Sequence, residues 1–233
     1  MKNNLIITSK EDFAKIAAEK VADKIIELKK VNLVLATGNT MIKFLNNLAE
    51  DKRIDWKNVN IFHLDEYKSL DKDNKASFVY FIEKNLVSKI KTNTYYLADY
   101  KDIKKYTEDL NKLGGADILM LGVGGEGHLA FNEKNSPFDS TIREVKLTET
   151  TIQDNKPDYP DIENNPYAIT MGIKDIISAK NIFFLAKSKK KAAIVKKALE
   201  GPITEEVPAS ILQKVSNLTI ILDKEAASEL DDK

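Results

Sequence analysis

The sequence contains no cysteine. Disulfides, thiolate nucleophiles and thiolate-ligated metals are therefore excluded. At 233 residues the chain is long enough to bury a core without such staples. Neither sign of charge is in excess, since 36 Lys and Arg stand against 36 Asp and Glu. That balance gives no electrostatic case for nucleic acid or an anionic membrane as partner. Long apolar runs are also missing, and none reaches the length of a bilayer span. The opening residues, "MKNNLIITSKEDF", lack the apolar stretch and cleavage site of a secretory signal. These absences lead to the expectation of a cytoplasmic protein with no nucleic-acid partner and no membrane partner. Glycine and histidine are scarce too, at nine and two.

What is present, 42% of it hydrophobic, is ordered as an alternation. Short apolar runs predict strands at 4–7, 31–36, 58–64, 94–98, 116–122, 167–170, 181–186 and 218–222. Between them, helical spacing runs through Phe13, Ile16, Ala17, Val21, Ile25 and Leu28, with Ser9 as N-cap and Asp12 in a capping-box position. Further helices are predicted through Phe44, Leu45 and Leu48, and over 76–90, 101–113, 174–179 and 188–200. The run at 31–36 is nearly continuous, as suits a strand buried on both faces. The fold class predicted is α/β, an open, mostly parallel, Rossmann-like sheet with helices on both faces, in one domain over residues 1–233. The longest irregular stretch is 132–167. Its portion 154–165, rich in Pro, Asn and Asp, reads as a mobile lid that orders on ligand.

Open α/β sheets bind ligands beyond the carboxyl ends of their strands. Three predicted strands end in polar chemistry: "TGNT" (37–40), "DEY" (65–67) and "GVGGEGHLAFNE" (122–133). The last holds four of the nine glycines within six residues. A tight turn accounts for one or two of them; so many also let backbone N–H groups approach a ligand. His128 has Glu126 two residues before it and Glu133 five after. A carboxylate that orients imidazole and stabilises its cation is a recurring catalytic pair, although a lone histidine in a loop is more often simply satisfied there. Asp65 and Glu66 are adjacent carboxylates, either a turn or a candidate base. His63 reads as a strand residue. Lys187, Lys189, Lys190 and Lys191 gather at a helix start, against the macrodipole. Most of them suit a solvated face, and one can join the helix N-terminus in holding an anion.

Taken in order, "LATGNT" (35–40), "LDEY" (64–67), "GVGGEGHLAFNE" (122–133), "TMGIKDI" (170–176), "KKKAAIVKKALEG" (189–201) and "PASILQ" (208–213) resemble the glucosamine-6-phosphate deaminase/isomerase family, within the 6-phosphogluconolactonase superfamily. The resemblance implies conversion of an amino-sugar 6-phosphate and water to a ketose 6-phosphate and ammonia, with no metal and no organic cofactor. Carried over by position, Asp65 matches the base that moves a proton from C2 toward C1. His128 matches the ring-opening histidine, and Glu133 the carboxylate that orients it. Thr37, Gly38, Asn39 and Thr40 match the phosphate loop, and Lys191 the phosphate-binding lysine. Glu126 stands where the family usually has Asp, and is expected to act through His128. Met41 follows the phosphate loop where the family commonly has Pro. Pro157 occupies the position of a phosphate-binding Arg, with Lys156 beside it as a candidate substitute.

Glucosamine 6-phosphate is the leading substrate on this reading. Galactosamine 6-phosphate, lactonase-like ester hydrolysis and non-catalytic sugar-phosphate sensing stay open as alternatives. "FNE" after "GHLA", and Tyr67 where lactonases usually carry Arg, favour deamination. The chain stops soon after "DKEAASEL", where allosteric relatives run longer. The expected assembly is therefore a monomer or small homo-oligomer, with a small-molecule sugar phosphate as its partner.

Overall fold

The structure, a computed structural model, describes residues 4–68, 70–90 and 102–231. Six strands form one parallel sheet: β1 (Leu5–Thr8), β2 (Val31–Leu35), β3 (Val59–His63), β5 (Ile118–Leu121), β8 (Ile182–Ala186) and β9 (Leu218–Asp223), in the order β1-β9-β8-β5-β2-β3. Every residue of β2, β5 and β8 is buried, as expected of strands covered on both faces. The predicted open parallel sheet is thus present. The strand expected at 94–98 lies outside the described residues, as does the first residue of the helix expected at 101–113.

The helices between the strands are α1 (Phe13–Leu28), α2 (Asn39–Glu50), α3 (Phe78–Asn85), α4 (Ile103–Lys112), α6 (Ile173–Ile177) and α7 (Ala192–Glu200). α1 buries Phe13, Ala14, Ala17, Ala18, Val21, Ala22 and Ile25 in the main core, the stripe that its spacing predicted. Ser9 sits in a turn just before this helix. Its Oγ accepts from the Asp12 N–H at 3.0 Å, and its hydroxyl donates to the Asp12 carboxylate at 2.8 Å. The contact closes that turn and is not the reciprocal capping box expected. The helix expected at 76–90 divides into α3, capped by Ser77, and a 3₁₀ turn at Val87–Lys89. Likewise, the one expected at 188–200 begins as a 3₁₀ turn, Lys189–Lys191.

A second, smaller sheet was not anticipated. β4 (Asp65–Tyr67), β7 (Tyr167–Thr170) and β6 (Arg143–Lys146) pair antiparallel in the order β4-β7-β6. "DEY" is therefore a strand and not a loop. The stretch 132–167, expected to be irregular, contains β6 and a helix, α5 (Glu149–Asn155). Around this sheet a second apolar cluster gathers Tyr67, Phe131, Leu147, Ile152, Tyr159, Ile162 and Ala168. Tyr159 and Ile162 belong to the segment read as a mobile lid. Both are buried, so the segment has the apolar anchors that its composition concealed.

Leu64 joins the two sheets. Its N–H donates to the Leu35 carbonyl of β2 at 3.0 Å, and its own carbonyl accepts from the Met171 N–H, just past β7, at 3.0 Å.

Candidate active site

β8, β5, β2 and β3 are neighbours and run parallel, so their carboxyl ends share one edge of the sheet. Those ends lead into Lys187–Lys191, the glycine-rich loop, the "TGNT" turn and Asp65. These sequence-predicted groups therefore emerge along one edge, as the ligand crevices of open α/β sheets require.

The glycine-rich loop is a closed turn. The Gly124 N–H donates to the His128 carbonyl at 3.1 Å, and the Gly127 N–H to the Gly124 carbonyl at 3.2 Å. A Cβ on Gly124 would lie 2.0 Å from the His128 ring, so the imidazole rests where any other residue would place its side chain. Gly127 has φ of 89°, in the left-handed region, and its carbonyl accepts from the Ala209 N–H of "PAS" at 2.9 Å. The first glycine makes room for the histidine and the second turns the chain.

Burial pushes the His128 pKa down, which favours the neutral ring; the charge of Glu133 is the largest effect pulling it back up, while Lys191 lowers it further. No hydrogen bond joins Glu133 to His128 among the described residues. The Glu133 carboxylate instead accepts from the Thr148 N–H at 3.0 Å, the Thr148 hydroxyl at 2.9 Å and the Thr151 hydroxyl. It thereby ties the loop to the start of α5 and acts on the imidazole through its charge. Glu126 is exposed, and its charge weighs less on His128 than that of Glu133. Asn132 is fully buried. Its Nδ2 donates to the carbonyls of Leu129 and Met171 at 2.8 and 2.7 Å, joining the loop to the end of β7.

Asp65 opens β4, opposite Thr170. Burial, and then the charge of Glu66, push its carboxyl well above the usual carboxylate range. Glu66 is differently placed. Its oxygens accept from the N–H groups of Tyr67, Phe78 and Val79 and from the Ser77 hydroxyl, at 2.7–3.1 Å. One of the two adjacent carboxylates holds the start of α3 against β4, and the other has no such donors among the described residues. Sequence reasoning did not separate these roles. His63 ends β3 fully buried, and burial pulls its pKa down to about 3.

Gly38, with φ of 99°, precedes Asn39 and Thr40 in the first turn of α2, and no side chain caps this helix. Lys191 is half-buried at the start of α7. Burial lowers its pKa, and the Asp154 carboxylate opposes the shift. Asp154 also acts on His128, a link that nothing in the sequence signalled. Lys156 bonds Glu163 at 2.7 Å at the surface. Among the described residues no cluster of three His, Asp or Glu is placed to hold a metal ion, and no helix is long and apolar enough to cross a membrane.

Comparison with known proteins gives a consistent answer. The family of glucosamine-6-phosphate isomerases/6-phosphogluconolactonase matches residues 8–221. The glucosamine-6-phosphate deaminase of Lactobacillus acidophilus is 40% identical over 236 residues, covering 98% of each chain. That of Mycoplasma mycoides subsp. mycoides SC is 38% identical, covering 97% of this chain and 96% of its own. Among solved structures, a monomeric glucosamine-6-phosphate deaminase superposes with a TM-score of 0.89 at 34% identity, covering 97% of this chain and 99% of its own. The 6-phosphogluconolactonase of Trypanosoma cruzi, at 18% identity and a TM-score of 0.81, shares the fold.

Proposed function

Because the chain belongs to the glucosamine-6-phosphate isomerase/6-phosphogluconolactonase family, we propose that it converts glucosamine 6-phosphate and water to fructose 6-phosphate and ammonia. The observation that carries this reading is a buried, donor-poor carboxyl, Asp65, on the same sheet edge as an imidazole held neutral by burial. Neutral His128 accepts the O1 proton of the cyclic sugar and delivers it to O5, which opens the ring. Asp65 takes the proton from C2 while the adjacent 2-ammonium passes one of its protons to the aldehyde oxygen, giving an enolamine. Asp65 returns the proton it holds to C1, leaving a C2 iminium. Water adds to that carbon and ammonia departs, leaving the ketone. A base whose pKa is raised toward the working pH suits the C2 step, since basicity rises with pKa. Glu133 supports the imidazole through its charge, and Glu126 adds a weaker charge from the surface. Lys191, with Thr37, Gly38, Asn39 and Thr40, receives the 6-phosphate.

The reading extends to one domain over residues 1–233, working in the cytoplasm as a monomer or small homo-oligomer. The monomeric deaminase among its structural relatives supports that assembly. Ammonia release from a panel of hexosamine 6-phosphates tests the substrate. Glucosamine 6-phosphate should be the preferred member. No ammonia from any of them, or faster turnover of galactosamine 6-phosphate, would overturn the assignment.

A further inference from the structure

Lys191 supplies the 6-phosphate with one cation, whereas a phosphate monoester carries nearly two negative charges at neutral pH. Lys156 does not provide the second, since its ammonium is tied to Glu163. The structure offers another. Lys187 directly follows β8 and is half-buried. Its Nζ reaches past the end of β5 and donates to the backbone carbonyl of Asn39 at 3.3 Å. The ammonium therefore stands at the first turn of α2, beside Gly38, Asn39 and Thr40.

Two further observations separate Lys187 from the lysines around it. Among the described residues no carboxylate pairs with it, whereas Lys189 bonds Ser228 at 2.8 Å and Glu229 at 3.2 Å. An ammonium has three donors, and one on Asn39 leaves two for a ligand. The backbone beside it is also fixed. Ser188 has φ of 79°, and its N–H donates to both oxygens of Asp223 at 3.0 Å. Asp223 is itself buried and accepts from the Ala226 N–H at 2.7 Å. The stem of Lys187 thus starts from a locked turn.

We propose that Lys187 is a second phosphate-binding cation of this site, reaching the 6-phosphate from the β8 crossing while Lys191 holds it from the start of α7. The proposal rests on the reading of the site given above. Being a point charge, Lys187 neutralises the dianion without fixing its rotation.

The test compares the parent with Lys187→Gln, Lys187→Arg and, as an exposed neighbour, Lys190→Gln. Two quantities are read: ammonia release from glucosamine 6-phosphate, and the affinity for inorganic phosphate by calorimetry. Lys187→Gln should raise KM roughly ten- to hundredfold, the scale of a charge-assisted hydrogen bond, with a much smaller change in kcat. Phosphate affinity should fall alongside. Lys187→Arg should recover most of both, and Lys190→Gln should match the parent. Parent-like behaviour of Lys187→Gln would overturn the proposal. So would equal losses from Lys190→Gln, which mean diffuse surface charge, or losses that persist in Lys187→Arg with a lowered Tm, which mean a folding role. If the parent binds phosphate through Lys187 but releases no ammonia, the assigned reaction fails and this inference stands.

Discussion

Asp65 is held where its charged form is least favoured, by burial first and by Glu66 second. The consequence for stability has a definite sign. As pH rises through the ordinary carboxylate value near 3.9, the unfolded chain releases this proton and the folded chain keeps it, so stability falls until the raised folded pKa is passed. Asp65→Asn removes that penalty. It should melt at a higher temperature than the parent at pH 7, with the gain disappearing near pH 3, while ammonia release falls by roughly 10²–10⁴-fold. Scanning calorimetry at the two pH values and an ammonia assay read both halves. A lower Tm at pH 7, or near-normal turnover, would count against Asp65 as a buried base. Gly124 makes the same kind of point about shape. In Gly124→Ala the new Cβ collides with the His128 ring, and the ring has to move. Turnover should drop by at least about tenfold while KM changes little, because positioning losses of an ångström can cost 10²-fold. Unchanged kcat would mean that the ring's observed seat is not its working one.

At the scale of elements, α5 links the glycine-rich loop to the small sheet. Its N-cap Thr148 and its Thr151 both hold the Glu133 carboxylate. Thr151→Val keeps the shape of the side chain and removes one donor, costing about 1 kcal/mol of local stability. Amide exchange over 149–155 should quicken, and kcat should fall more than KM rises, because Glu133 steadies His128. Exchange confined to its parental rate would refute the tether. This helix also shows where the sequence stops being legible. β2, β5 and β8 announced themselves because strands buried on both faces are apolar throughout. α5 has seven residues, "ETTIQDN", with two Thr and an Asn among them, and buries only Thr151 and Ile152. No helical period survives at that length. β6, "REVK", is a four-residue edge strand that buries none of its residues fully, and β4, "DEY", is a three-residue strand whose burial contradicts its polarity. The candidate site's residues stood out in the sequence through their motifs. The division of labour between Asp65 and Glu66 did not, because it depends on which carboxylate meets the N–H groups of α3, a contact made across eleven to thirteen residues.

For the molecule as a whole, the two apolar clusters matter most. Tyr67, one strand position beyond Glu66, packs against Phe78, Phe131 and Tyr159 with ring centroids 5.1–5.3 Å apart. Tyr159 comes from the segment at 154–165, so that segment should be protected from amide exchange even without ligand. Tyr159→Ala removes a buried ring, and comparable truncations cost about 3–5 kcal/mol. The loss should fall on the small sheet, with exchange rising over 143–170 and little change in β2, β5 and β8. Exchange rising evenly across both sheets would mean that the two clusters melt as one unit.

The chain passes from one sheet to the other at Leu64, which bonds to each through a single backbone group. Mechanically, that residue is one hinge between them, alongside the Asn132 bond to the Met171 carbonyl. Under any tilt of the small sheet about Leu64, displacement grows with distance along β4, at about 3.4 Å of strand per residue. Asp65, one residue from the pivot, travels roughly a third as far as Tyr67, three residues out. A tilt about Leu64 therefore moves the outer end of β4 most and leaves the Asp65 carboxyl, close to the axis, nearly in place.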